Sequence, residues 1–166
     1  MVGITQLIFN MSVEIEHKYL VANDGYKSMA TESHRLVQGY LSREKGRTVR
    51  VRICDDKAFL TVKGANTGAS RPEFEYEVPL ADAEQMLRLC PPPVIGKTRH
   101  IVPFAGNRWE VDEFHGQLHG LTFAEIEIPS VDYHYEVPPF VGRDVTDDPR
   151  FYNSRLTTIE ALKGAL

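Results

Sequence analysis

Thr48-Val49-Arg50-Val51-Arg52-Ile53-Cys54, then Asp55-Asp56, then Lys57-Ala58-Phe59-Leu60-Thr61-Val62-Lys63: this stretch alternates apolar and polar residues on either side of a short acidic break. A period of two places Val49, Val51 and Ile53 on one side of a strand and Arg50 and Arg52 on the other. The two aspartates favour a tight turn, so the stretch reads as a β-hairpin. The same period recurs in residues 12–21, 34–42, 71–78, 94–104, 107–114 and 121–128. Arg43-Glu44-Lys45-Gly46, residues 64–70 and Ala105-Gly106 read as further hairpin connections. Eight strands joined by mostly short links form a meander, an antiparallel sheet that curls or closes. Two helical segments interrupt it. Residues 80–89 carry Leu80, Ala83, Met86, Leu87 and Cys90 on one stripe, stopped by Pro91-Pro92-Pro93. Residues 154–162 align Leu156, Ile159 and Leu162, with Asn153 as the N-cap. A shorter helical turn is expected near residues 26–31. The fold class is therefore α+β, mainly β.

The net charge of -4 gives no support to a nucleic-acid-coating role, which asks for a basic surface. Cys54 and Cys90 show no metal-binding spacing and are read as two free thiols of a cytoplasmic protein rather than a disulfide. Residues 1–10 have no basic leader and are too short and broken for a signal or membrane anchor. Met11 precedes the first patterned segment. The expected organisation is an extension over 1–10 and a single domain over 11–166, and intact mass would show whether the native chain starts at Met1 or Met11.

The polar strand faces carry unusual charge. Glu14, Glu16 and Lys18 share a face, as do Arg50 with Arg52 and Glu73 with Glu75 and Glu77. Lys97 pairs with Arg99, Glu110 with Asp112, and Glu125 with Glu127, while Lys63 ends its strand opposite Leu60 and Val62. On any one strand this reads equally as a solvated face with cross-strand ion pairs. Over seven strands that reading weakens, because solvated faces usually mix in uncharged polar residues. Facing inward, these side chains make a cavity of carboxylates and cations together. Carboxylate oxygens suit Mg²⁺ or Mn²⁺, and Lys and Arg suit phosphate oxygens. Six cations exceed the need of one phosphate and fit a chain of them. Competing motifs fail: Gly96-Lys97-Thr98 lacks the first glycine of a P-loop, since Pro91 stands there, and a strand follows it. His115 and His119 are spaced i, i+4, but Gly116 and Gly120 oppose the helix that would align them.

Val13-Glu14-Ile15-Glu16-His17-Lys18 resembles the ExExK motif of the CYTH domain, the triphosphate tunnel metalloenzyme superfamily. Gln38-Gly39-Tyr40-Leu41, Arg50-Val51-Arg52, Thr61-Val62-Lys63, Glu73-Phe74-Glu75, Lys97-Thr98-Arg99, Glu110-Val111-Asp112 and Glu125-Ile126-Glu127 follow in the family's order. The ending, Gly142-Arg143-Asp144-Val145-Thr146 through Arg150-Phe151-Tyr152-Asn153, resembles its short bacterial members. The resemblance implies an eight-stranded antiparallel closed barrel, or tunnel, with a few flanking helices. It implies Glu14, Glu16, Asp112, Glu125 and Glu127 as metal ligands for Mg²⁺ or Mn²⁺, with Asp112 and Glu110 able to serve as further ligands or orienters. Lys18, Arg50, Arg52, Lys63, Lys97 and Arg99 would grip the phosphates, and Glu73, Glu75 and Glu110 would be supporting tunnel acids. Tyr40, Lys18 and Lys63 are the catalytic candidates, Tyr40 as a proton acceptor or as an ordinary packed residue. The final helix is expected near one tunnel mouth. The implied activity is metal-dependent hydrolysis of a small-molecule triphosphate, foremost inorganic triphosphate, by a monomer or homodimer with no membrane or nucleic-acid partner. The alternatives are a class IV adenylate cyclase, a thiamine or nucleoside triphosphatase, and a non-catalytic polyphosphate- or metal-binding barrel.

Overall fold

The computed structural model describes residues 15–65 and 72–166. Each segment where alternation was expected contains a strand, with Pro72, Val94 and Leu121 falling just outside the strand starts. β1 (Ile15–Val21), β2 (Glu32–Glu44), β3 (Arg47–Cys54), β4 (Lys57–Gly64), β5 (Glu73–Val78), β6 (Ile95–Phe104), β7 (Asn107–Phe114) and β8 (Thr122–Ile128) are joined by β9 (Val141–Asp144). All nine belong to one antiparallel sheet in the order β5-β4-β3-β2-β6-β7-β8-β1-β9. The expectation of eight strands closing into a barrel is corrected on the strand count. β9 adds a ninth, pairing with the free side of β1 through Tyr19↔Asp144 and Val21↔Val141. β5 and β9 are the two edges, and among the described residues no ladder joins them. The β6–β7 turn takes both central residues to positive φ, Ala105 at 47° and Gly106 at 77°, the backbone twist that suits a two-residue hairpin.

The outer face is covered in two places. α2 (Leu80–Leu89) lays Ala83, Met86 and Leu87 over Val51 and Ala58 of β3 and β4. Its end presses so close to β2 that a β-carbon on Gly39 would lie 2.8 Å from the Cys90 side chain, which explains a glycine inside a strand. α1 (Tyr26–Met29) and the segment leading to β9 cover Val102, Trp109, Val111 and Ile126 with Tyr26, Tyr135 and Phe140.

A third cluster lies on the inner face. Phe114 and Phe123 are the register partners of Lys97 and Asp112, so they point where the charges point. Phe151, Leu156, Leu162 and Ala165 pack against them. The C-terminal segment thus fills one end of the space the sheet encloses. It is not the helix expected over 154–162. A turn closes with Arg155 N–H donating to Tyr152 O, and Ile159 N–H then donates to Gln117 O, outside its own segment, leaving only a 3₁₀ turn at Glu160–Leu162. Burying Leu156 and Leu162 on the sheet outweighs the weak helix propensity of Thr157-Thr158. Leu156→Ala is expected to cost about 2–3 kcal/mol of unfolding free energy, in the range for truncating a buried leucine; a urea midpoint equal to the parent's would show that this end is not packed.

Candidate functional site

The register decides which side chains meet. Glu16↔Glu127 and Lys18↔Glu125 face each other between β1 and β8, Glu110↔Glu125 between β7 and β8, and Arg99↔Asp112 between β6 and β7. Beyond β2, Tyr40↔Arg50, Thr48↔Lys63 and Thr61↔Glu75 continue the same face. Cross-strand partners point to one side, so these residues share the inner surface. All of them except the more deeply buried Asp112 and Thr61 line one cavity of about 900 Å³, which means the sheet curls into a trough. All six expected cations line it: Lys18, Arg50, Arg52, Lys63, Lys97 and Arg99. Glu16, Glu73, Glu75, Glu110, Glu125, Glu127 and Tyr40 do so too. Glu14 lies outside the described residues, and Glu77 and Asp112 do not reach the cavity wall.

Charge is organised in layers. Deepest is Asp112, with no solvent exposure. Arg99 grips it through Nε and Nη2, each at 2.7 Å, and Lys97 pairs with Oδ2. Glu125 comes next, 2.9 Å from Lys18 Nζ and 3.3 Å from Arg99 Nη2. Burial by itself would raise the Asp112 and Glu125 carboxyls, but the Lys97, Arg99 and Lys18 charges outweigh it and hold both below the usual carboxylate range. Burial pulls Lys97 down, and Asp112, shared with Arg99, restores only part. Burial also opposes the charge on Lys18, yet Glu125 and Glu16 carry it above its usual value. Lys18 Nζ additionally donates to Phe151 O at 3.3 Å, tying the C-terminal segment to the site.

On the β3–β4–β5 side the arginine pairs are longer. Arg50 and Arg52 each approach Glu75 at 3.4–3.5 Å, and Thr61 Oγ1 donates to the same carboxylate at 2.8 Å. Lys63 pairs with Glu73 at 2.8 Å. Burial and the neighbouring Arg50 lower the Arg52 guanidinium below its ordinary value, so this wall favours an arriving anion. A guanidinium still stays charged throughout the working pH range.

Because the folded Asp112 and Glu125 carboxyls titrate below the value of about 4 expected in the unfolded chain, their ionised forms stabilise the fold above that pH. That contribution disappears as the pH falls through the folded values. The urea midpoint is expected to be lower at about pH 3 than at about pH 6, and equal midpoints would contradict the buried network.

Glu16 and Glu127 differ from the buried acids. Both are exposed to the cavity and stand directly opposite one another, an arrangement that repels unless a cation intervenes. Glu16 has Lys18 at 4.0 Å, while Glu127 makes no ion pair among the described residues. Hard oxygen donors open to solvent fit Mg²⁺ or Mn²⁺. Asp112, expected among the metal ligands, instead has both oxygens engaged by Arg99 and Lys97.

Arg108, Thr48, Tyr152, Asn153 and Ser154 also line the cavity and were not expected there. Arg108 was legible, since it has the parity of Glu110, to which it pairs at 2.8 Å. Tyr152, Asn153 and Ser154 arrive through the C-terminal turn, for which strand parity carries no signal.

An antiparallel sheet curled round a trough of interleaved cations and carboxylates defines a polyanion-handling β fold. The CYTH domain model matches residues 12–152, and the chain belongs to that family. The chain is 48% identical over 147 residues to the inorganic triphosphatase of Acetivibrio thermocellus, covering 88% of this chain and 94% of that one. It is 31% identical over 147 residues to the inorganic triphosphatase of Nitrosomonas europaea, covering 86% and 95%. The crystal structure of the inorganic triphosphatase NE1496 superposes with a TM-score of 0.66 at 30% identity, covering 89% of this chain and 95% of that one. No helix among the described residues is long and apolar enough to cross a membrane.

Proposed function

We propose that this chain hydrolyses inorganic triphosphate to phosphate and pyrophosphate, with the trough acting as a tunnel. The observation that carries the reading is that all six expected cations share one cavity with Glu16 and Glu127. The inorganic triphosphatases to which the chain is similar support it. Arg50 and Arg52, loosely paired with Glu75, and Lys63, paired with Glu73, receive the outer phosphates, exchanging those carboxylates for phosphate oxygens. Lys97 and Arg99, held by Asp112, fix charge beneath the chain of phosphates without reorganising. Lys18 stabilises charge where β1 meets the C-terminal segment. Tyr40, beside Arg50, orients the attacking water and, as the phenolate after its own proton has passed to solvent, takes that water's proton. Glu16 and Glu127, with Glu14 and Glu125 as neighbours in the motif, would hold Mg²⁺ or Mn²⁺. That ion, when bound, supplies positive charge to phosphate oxygens and makes water more acidic. The working unit is a monomer or homodimer in the cytoplasm, formed by one domain over 11–166.

The inner-face packing of Phe151 and Leu156 leaves one end of the trough filled, which favours a substrate without a bulky organic group. Incubation with Mg²⁺ or Mn²⁺ and, separately, triphosphate, ATP and thiamine triphosphate tests the reading. Phosphate release fastest from inorganic triphosphate is expected; cyclic AMP and pyrophosphate from ATP would overturn it. Arg52→Ala is expected to raise KM roughly tenfold with a smaller change in kcat, through loss of charge-assisted contacts. An unchanged KM would remove Arg52 from the phosphate grip.

A further inference from the structure

Outside the cavity lining, but on the strand face of Arg52 and with His34 the register partner of Arg99, three side chains of different ligand chemistry converge where β2 meets the β3–β4 turn. A ring nitrogen of His34, Cys54 Sγ and a carboxylate oxygen of Asp55 all lie within 4.8 Å of one another. The register Leu36↔Cys54 brings them together, His34 one pleat beyond the pair and Asp55 entering the turn at φ 53°. The turn is tied to β2 twice: Asp55 N–H donates to Arg35 O at 2.9 Å, and Arg35 N–H donates to Asp55 Oδ1 at 2.8 Å. Those bonds fix the carboxylate so that Oδ2 sits 2.7 Å from His34 Nδ1. On the far side of the ring, Glu32 Oε2 lies 3.2 Å from Nε2.

A turn needing only a His–Asp hydrogen bond has no use for the thiol or for Glu32. A metal site uses both. Imidazole nitrogen, thiolate and carboxylate are the donors of Zn²⁺, which in open sites takes three protein ligands and one water. A carboxylate holding the remote imidazole nitrogen fixes the tautomer that ligation requires. Mg²⁺ disfavours nitrogen and sulfur, so this set discriminates against the cation that suits Glu16 and Glu127.

We infer that His34, Cys54 and Asp55 form a second cation site, one for a borderline divalent metal of the Zn²⁺ type, with Glu32 orienting His34. On binding, the Cys54 thiol proton passes to solvent, and the cation displaces the hydrogen shared between His34 and Asp55, which leaves the imidazolium for solvent while the Nε2 hydrogen stays toward Glu32. Asp55 is exposed, which gives the cation its route in. Binding is read without substrate, so the inference stands apart from the proposed activity.

The test titrates the metal-free full chain with Co²⁺ in excess Mg²⁺. A saturable thiolate-to-cobalt charge-transfer absorption in the near ultraviolet is expected, and Zn²⁺ should displace it. It should vanish in Cys54→Ser, weaken roughly tenfold or more in affinity in His34→Ala, and persist in Glu127→Gln. Absence of the band in the parent protein, or its survival in Cys54→Ser, overturns the site. Circular dichroism establishes that each variant is folded. If Cys54→Ser does not fold, Asp55→Asn carries the test: weaker Co²⁺ binding supports the site, and unchanged binding overturns it.

Discussion

Glu16→Gln is expected to lower triphosphate turnover by roughly a hundredfold or more, the effect of losing several kcal/mol of metal-derived stabilisation. Glutamine keeps the size of the side chain and removes its charge, so the strand pairing Glu16↔Glu127 has no reason to change. Repulsion across that pair falls while the 4.0 Å contact with Lys18 is lost, so the melting temperature of the metal-free variant should stay close to the parent's. Raising the Mg²⁺ or Mn²⁺ concentration should recover part of the rate, since the lost ligand weakens affinity before it alters chemistry. Full activity at ordinary metal concentration would remove Glu16 from the metal site. Lost activity accompanied by a large drop in melting temperature would assign it a structural role instead.

The inner face of the sheet was legible because one property, parity, determines it. Arg50 and Arg52, or Glu125 and Glu127, must point together once their segments are strands, and the antiparallel register then brings them to one cavity. Parity is silent about depth. Glu110 and Asp112 alternate identically in sequence, yet Asp112 lies under Arg99 and Lys97 while Glu110 reaches the cavity. That difference arises from where each falls along the trough, which only the register sets. β9 escaped because four residues, Val141–Asp144, are too few to display a period, and its pairing partner is distant in sequence. The C-terminal segment misled for the opposite reason. Leu156, Ile159 and Leu162 have helical spacing, but inner-face burial fixes them through turns. His34, Cys54 and Asp55 share no motif, and only the hairpin assembles them.

Asp112→Ala is expected to destabilise the protein by about 3–5 kcal/mol, the usual consequence of removing one partner from a buried ion pair. The mechanism is what remains. Lys97, 2% exposed, loses the carboxylate that partly offsets its burial, and Arg99 keeps Glu125 and Glu110 as its carboxylates among the described residues. Two cations without their shared anion repel each other, so the urea midpoint should fall and the slope stay unchanged. Pairing the change with Lys97→Met should recover much of the loss, because an apolar side chain has no charge to leave unsatisfied. A midpoint unaffected by Asp112→Ala would mean that the carboxylate is not holding the two cations. The result also separates the acids by role. A carboxylate that organises cations stabilises the metal-free chain, so its removal lowers the midpoint. One that faces another carboxylate at the cavity, as Glu16 faces Glu127, sets that repulsion against its contact with Lys18, so its removal changes the midpoint little. A large loss for Asp112→Ala beside little change for Glu16→Gln, measured in the same metal-free buffer, would divide the inner face into an organising layer and a metal-binding rim.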